Sequence, residues 1–174
     1  HPPFSLSRAM LRSAAVLCMG LGATAISYAG CMGMELQAHR GAAMQHPENS
    51  AAAVQAAMQG AWEGAEIDVQ SLSDGTLALH HDVQTTRMTS LRGRQVGQLS
   101  SAAWSEVRLK NSKGQLTKEP AATLPEVLPA VAQAGKVLNV EIKQTYQNCS
   151  AAHEAMRNLQ LGLPQGNWCI SAIA

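Results

Sequence analysis

Two short stretches, GAEIDVQ at 64–70 and VLNVEIK at 137–143, do most to limit what this chain can become. Both read as β-strands, yet both carry acids inside them. Side chains alternate between the two faces of a strand, so Glu66 and Asp68 share one face while Ala65, Ile67 and Val69 share the other. In the second stretch Asn139, Glu141 and Lys143 share a face in the same way. Two carboxylates that point the same way repel each other. Burial also strips their hydration, at a cost of several kcal/mol each unless something compensates. A cation compensates.

Around these strands the sequence predicts an alternating order of elements. A short strand at 35–39 (ELQAH) leads into the loop RGAAMQHPE. An Ala-rich helix follows, capped by Asn49 or Ser50 and ended at Gly60. The strand at 65–72 is followed by the turn Ser73-Asp74-Gly75-Thr76 and by LALHHD. Residues 83–120 read as polar and irregular, with a short helix at 101–108. A helix over 124–134 stops at Gly135, a strand covers 136–143, a helix about 150–160, and a last strand 168–173.

Strands alternating with helices imply a parallel sheet of βα units. A TIM (β/α)8 barrel takes about 250 residues, whereas this chain has 174 and only about four such strands. The expectation is an α/β TIM barrel truncated to about its first half, with four more βα units to follow. A small open α/β sheet is the alternative. The 174-residue chain on its own is expected to be unstable or weakly active.

The composition, 46% apolar and 14% charged, is that of a globular protein and not a disordered one. Aromatics at 3% and a net charge of +1 argue against a nucleic-acid partner. The first thirty residues stand apart. They hold Arg8 and Arg12, no acid, and the apolar run SAAVLCMGLGATAISYA at 13–29. That pattern is a secretory signal peptide with Met10 as a candidate start. Two cuts fit its exit. Ser27-Tyr28-Ala29 is a small-x-small site, and Ala29-Gly30-Cys31 resembles the end of a lipobox, although Tyr28 stands where Leu is usual. The organisation is therefore a signal at 1–30 and a barrel portion at 31–174. The product is exported to the periplasm or cell envelope, and its one expected membrane attachment is a lipid on Cys31. Cys149 and Cys169 remain in the mature chain and are free to pair there. No CxxC occurs, which argues against a zinc site.

Three consecutive parallel strands carry polar groups toward their C-terminal ends, the active-site face of a TIM barrel. That placement can bring Glu66, Asp68 and Glu141 together, and three carboxylates with few nitrogens suit Ca²⁺ or Mg²⁺. Each residue also has a plainer reading. Glu66 and Asp68 fit a solvated strand end, and Glu141 with Lys143 fits a surface ion pair. His39 fits a loop histidine, and His81 a turn residue beside His80.

Taken in order, the set HRG (39–41), PEN (47–49), Gly64 with Glu66-Ile67-Asp68-Val69, Asp74-Gly75, His81-Asp82, Arg87 with Thr89, Thr123-Leu124 before Glu126, and Glu141-Ile142-Lys143 resembles the glycerophosphodiester phosphodiesterase family. The resemblance runs in register from about 36 to 143. It implies a TIM barrel that hydrolyses small-molecule glycerophosphodiesters to an alcohol and sn-glycerol 3-phosphate. By resemblance His39 and His81 are the acid–base pair. Glu66, Asp68 and Glu141 hold a divalent cation, Ca²⁺ or Mg²⁺, and Arg40 and Lys143 bind the phosphate. Glu48 supports the first loop, and 83–120 lies where the family carries a small insertion beside the pocket. Two rivals accompany this reading. One is a phospholipase D-like phosphodiesterase of the same superfamily, which typically has Asp as third ligand. The other is a non-catalytic lipoprotein of the cell envelope that binds phosphate-bearing ligands.

Overall fold

The computed structural model describes residues 36–143 and the backbone of 168–172. The expected signal segment, Cys31, Cys149 and the helix expected at 150–160 lie outside the described residues. Within them the elements run β1 (Gln37–Ala38), α1 (Ala51–Gln59), β2 (Gly64–Ser71), β3 (Leu77–Leu79), a 3-10 turn (Val96–Gln98), α2 (Ser101–Ser105), β4 (Arg108–Lys110), β5 (Leu116–Pro120), α3 (Leu124–Ala134), β6 (Val137–Ile142) and β7 (Trp168–Ala172).

The parallel strands lie side by side in the order β1-β2-β6-β7, which is also their order along the chain. Each crossover therefore advances one place in the same direction. A doubly wound sheet reverses at a switch point, whereas a (β/α)8 barrel never does. The winding is that of a barrel, and the described residues form its opening portion.

Local chemistry sets the helix boundaries. Ser50 is the N-cap of α1, its Oγ accepting from the Ala53 N–H at 3.0 Å. Lys136 closes the other end, its ammonium 2.6 Å from the Gly60 carbonyl and 3.4 Å from that of Ala57, where a helix carries partial negative charge. Glu126 reaches back from the first turn of α3 to accept the Thr123 N–H at 2.7 Å.

β2 is the central strand, and all eight of its residues are buried. Ala65, Ile67 and Val69 pack with Val54 and Met58 of α1, Val127 and Val131 of α3, and Leu138 of β6 in the main core. Glu66 and Asp68 take the opposite side and are buried too. The solvated strand end considered above is thereby excluded for these two acids.

The stretch expected to be irregular, 83–120, is built instead around a second core. Leu72, Val96, Leu99, Trp104, Val107 and Leu109 form it. The Trp104 indole donates to the Ala122 carbonyl at 2.9 Å and meets the His80 ring edge-on at 5.7 Å. β4 and β5 form an antiparallel hairpin with a register irregularity between Arg108 and Lys110. The helix expected over 101–108 ends at Ser105, because the chain is drawn into β4. LALHHD contributes β3, which runs antiparallel to β2 and does not join the parallel set.

Candidate active site

β2 and β6 pair in parallel, with Glu66 opposite Asn139 and Asp68 opposite Glu141. Residues opposite each other in a sheet project to the same face. Asp68 and Glu141 therefore stand side by side, with Glu66 two places along. One oxygen from each of Glu66, Asp68 and Glu141 lies within 4.8 Å of the other two. Glu66 Oε1, Asp68 Oδ1 and Glu141 Oε1 are all buried; Glu66 Oε1 has no partner, and Asp68 Oδ1 and Glu141 Oε1 meet only the Lys143 ammonium. Buried carboxylate oxygens do not stay unpartnered without a reason. An all-oxygen, anionic donor set fits a hard divalent cation and lacks the nitrogen or sulfur that zinc prefers.

The electrostatics report the same crowding. Burial, then the charge of Asp68, pushes the Glu66 carboxyl up to about 7, against the Arg40 amide bond and Arg40 charge that hold it down. Lys143, just beyond β6, contacts Glu141 Oε1 and lies 3.4 Å from Asp68 Oδ1. Burial works against its charge, but Glu141 and Asp68 outweigh that and raise its pKa. The lysine therefore supplies part of the charge balance.

The loop after β1 wraps the other side of these acids. Arg40 has a left-handed backbone, φ 55°, followed by Gly41 at φ 73°. A Cβ on Gly41 would come within 2.7 Å of the Ala53 backbone carbon in α1, so only glycine fits there. This tight turn aims the Arg40 N–H at Glu66 Oε2, 3.0 Å away, and brings Arg40 Nε within 3.2 Å of Asp68 Oδ2. Its Nη1 donates to Glu48 Oε1 at 2.9 Å. His39 stays more than half exposed, its Nε2 3.8 Å from Glu66 Oε2. Partial burial and the neighbouring Arg40 charge lower its pKa.

His81 follows β3. Its Nδ1 lies 2.8 Å from Asp82 Oδ1, which leaves Nε2 as the outward nitrogen. Asp82 Oδ2 accepts from Arg87 Nε at 2.5 Å, and Arg87 grips Glu48 with both terminal nitrogens, at 2.7 and 3.1 Å. Glu48 in turn holds Arg40. A chain of alternating charges thus links the His81 turn to the Arg40 loop. Although burial opposes it, the bonds from Arg87 and His81 hold the Asp82 carboxyl down at about 2. Glu48 is likewise lowered, burial being outweighed by Arg87 and Arg40.

The structure thus gathers all seven residues singled out from the sequence around the ends of β1, β2, β3 and β6, and Glu48 supports the first loop as expected. Three contributors escaped sequence reasoning. Asn49, considered as a helix cap, instead bonds Asp68 twice. Its Nδ2 donates to Oδ2 at 2.8 Å, and its Oδ1 accepts the Asp68 N–H at 3.0 Å. Asp82 and Arg87 belonged to the quoted motifs but carried no role. Their alternation of sign was visible, though nothing in a linear sequence joins Arg87 to Glu48, 39 residues away.

Residues 39–163 match the model of a family described as the glycerophosphoryl diester phosphodiesterase family. A glycerophosphodiester phosphodiesterase of Bacillus altitudinis is 30% identical over 125 residues, which is 69% of this chain and 49% of that protein. The human glycerophosphodiester phosphodiesterase 1 is 31% identical over 138 residues, 74% of this chain and 38% of that one. Among solved structures, an Oleispira antarctica phosphodiesterase in complex with its product sn-glycerol-3-phosphate superposes with a TM-score of 0.69 at 28% identity. The match covers 80% of this chain and 57% of that one. The chain thus spans half or less of the length of the curated relatives it matches.

Proposed function

Since the chain belongs to the glycerophosphoryl diester phosphodiesterase family, we propose that it carries the catalytic residues of a cation-dependent hydrolase. That enzyme splits glycerophosphodiesters into an alcohol and sn-glycerol 3-phosphate, as a step in glycerophospholipid breakdown. The observation that carries the proposal is the convergence of three buried carboxylates on one face of β2 and β6, with a single lysine against their charge. Arg40 and Lys143 flank them, and a histidine stands at the end of each of β1 and β3.

A phosphodiester is anionic and repels an attacking oxygen. A divalent cation held by Glu66, Asp68 and Glu141, Ca²⁺ or Mg²⁺, would offset that charge and stabilise more of it in the transition state. The Arg40 guanidinium offers a planar fork to phosphate oxygens, and Lys143 a point charge beside it. One histidine takes the proton from the attacking oxygen as the phosphorus–oxygen bond forms. The other gives a proton to the alcohol oxygen as its bond to phosphorus breaks. The free hydroxyl of the glycerol can be that attacking oxygen, and water then opens the cyclic phosphate. The Asp82 carboxylate fixes the His81 ring, so that Nε2 is the nitrogen that exchanges the proton.

The deciding experiment uses the protein that carries this chain. Release of glycerol 3-phosphate from glycerophosphocholine should stop after chelation and return when Ca²⁺ or Mg²⁺ is restored. A folded protein that turns over none of several headgroups would end the catalytic reading. Export belongs to the same proposal, with the chain cut after Ala29 or after Gly30. The mass of the mature protein should begin at residue 30 or at a lipidated Cys31, and an intact start at residue 1 or 10 would end it.

A further inference from the structure

Positive charge is distributed unevenly along the chain. Residues 92–118 hold Arg92, Arg94, Arg108, Lys110, Lys113 and Lys118, six of the 13 basic residues, and a single acid, Glu106, of 12. Every ion pair among the described residues lies in the candidate site, and none of these six cations takes part in one. The side chains of Arg108 and Lys110 bond only to backbone carbonyls.

The fold gathers several of them. In the hairpin Arg108 pairs with Pro120 and Lys110 with Leu116, so Arg108, Lys110, Leu116 and Lys118 lie on one face. Leu109 points the other way, into the second core. Lys110 Nζ donates to the Thr86 carbonyl at 2.8 Å. The Thr86 hydroxyl oxygen accepts the Gly93 N–H at 2.9 Å. The exposed Arg92 and Arg94 flank Gly93, which brings them beside Lys110. Leu116, 58% exposed, stands among these cations, and Val83, 52% exposed, sits next to Asp82. Thr86 itself precedes Arg87, the residue that ties the His81 turn to the first loop.

We infer that the face formed by Arg92, Arg94, Lys110, Leu116 and Lys118 docks on an anionic lipid surface, with the candidate site at its border. Unpaired cations are attracted to an anionic leaflet within a Debye length. An exposed leucine among them enters the interface, which a dissolved polyanion would not reward. The segment's one aromatic residue, Trp104, is fully buried, so it offers no stacking platform for single-stranded nucleic acid. The inference is independent of the catalytic reading, since none of these side chains touches the carboxylate cluster.

The test is co-sedimentation of the protein, kept free of any lipid by Cys31→Ser, with phosphatidylcholine vesicles that contain about one third phosphatidylglycerol, against vesicles of phosphatidylcholine alone. Binding should appear only with the anionic vesicles and weaken as salt rises. The triple variant R92E/R94E/K118E should lose at least about tenfold in affinity, since each cation near such a surface is worth several-fold. Leu116→Ser should weaken the binding that survives at moderate salt. Thermal melts and turnover of soluble glycerophosphocholine should be unchanged in both variants. Absence of binding, equal binding to neutral vesicles, binding untouched by the triple variant, or preferential binding of an oligonucleotide would each overturn the inference. The native protein's salt dependence tests it even where a variant fails to fold.

Discussion

Glu66→Gln should cripple turnover while making the cation-free protein more stable. The two effects have one origin. Glu66 is buried beside Asp68 and within 4.8 Å of Glu141, and its pKa rises from 4.5 to about 7. A carboxyl with a raised folded-state pKa binds more protons folded than unfolded between those two values. Stability is then full below about pH 4.5 and lost as pH climbs through 7. The loss is on the order of 3 kcal/mol. Glutamine removes the ionisation yet keeps a carbonyl oxygen where Oε2 accepts the Arg40 N–H. Thermal melts of the chelated proteins should show the native one softening between pH 5 and 8 and the variant nearly flat. Added Ca²⁺ or Mg²⁺ should stabilise the native protein far more than the variant. Turnover should fall on the order of 10³-fold, the scale of losing one preorganised electrostatic contact with the transition state. A variant that melts below the chelated native protein at pH 8, or that keeps a tenth of its activity, would refute this account of the cluster.

Alanine at either His39 or His81 should lower kcat by about 10²–10⁴-fold, the usual worth of a positioned acid or base. KM should change little, because Arg40 and Lys143, the cations proposed to hold the phosphate, stay in place. If both protons move in one transition state, the double variant falls by less than the product of the single losses. Steady-state kinetics on glycerophosphocholine decide it. A single variant within tenfold of native turnover would remove that histidine from the chemistry.

Much of this site was legible in the sequence because its acids follow strand periodicity. The spacing of Glu66 and Asp68 alone puts them on one face, and parallel pairing then sets Glu141 beside Asp68. The order of strands and helices likewise carried the barrel. The hairpin of β4 and β5 was not legible for physical reasons. Its strands have three and five residues, its register is irregular, and its apolar residues make sense only around Trp104. The roles of Arg87 and Asn49 stayed hidden for another reason. Each depends on a contact between residues far apart in the chain, 39 positions for Arg87 with Glu48 and 19 for Asn49 with Asp68. Propensity offered Asn49 or Ser50 as the helix cap; Ser50 takes that place and leaves the Asn49 amide for the acid behind it.

Position 49 is consequently subject to two unrelated demands. Its backbone is left-handed, φ 54°, which among side-chain-bearing residues asparagine and aspartate tolerate best. Its side chain must also donate a hydrogen bond to the Asp68 carboxylate and accept one from the Asp68 N–H. Glycine meets the first demand and neither part of the second. Aspartate turns the donated bond into a fourth negative charge beside three others. Glutamine keeps the amide but not the backbone or the reach. Of the twenty side chains one satisfies both, so the substitution tolerance of this non-catalytic position should be as narrow as that of the acids it serves.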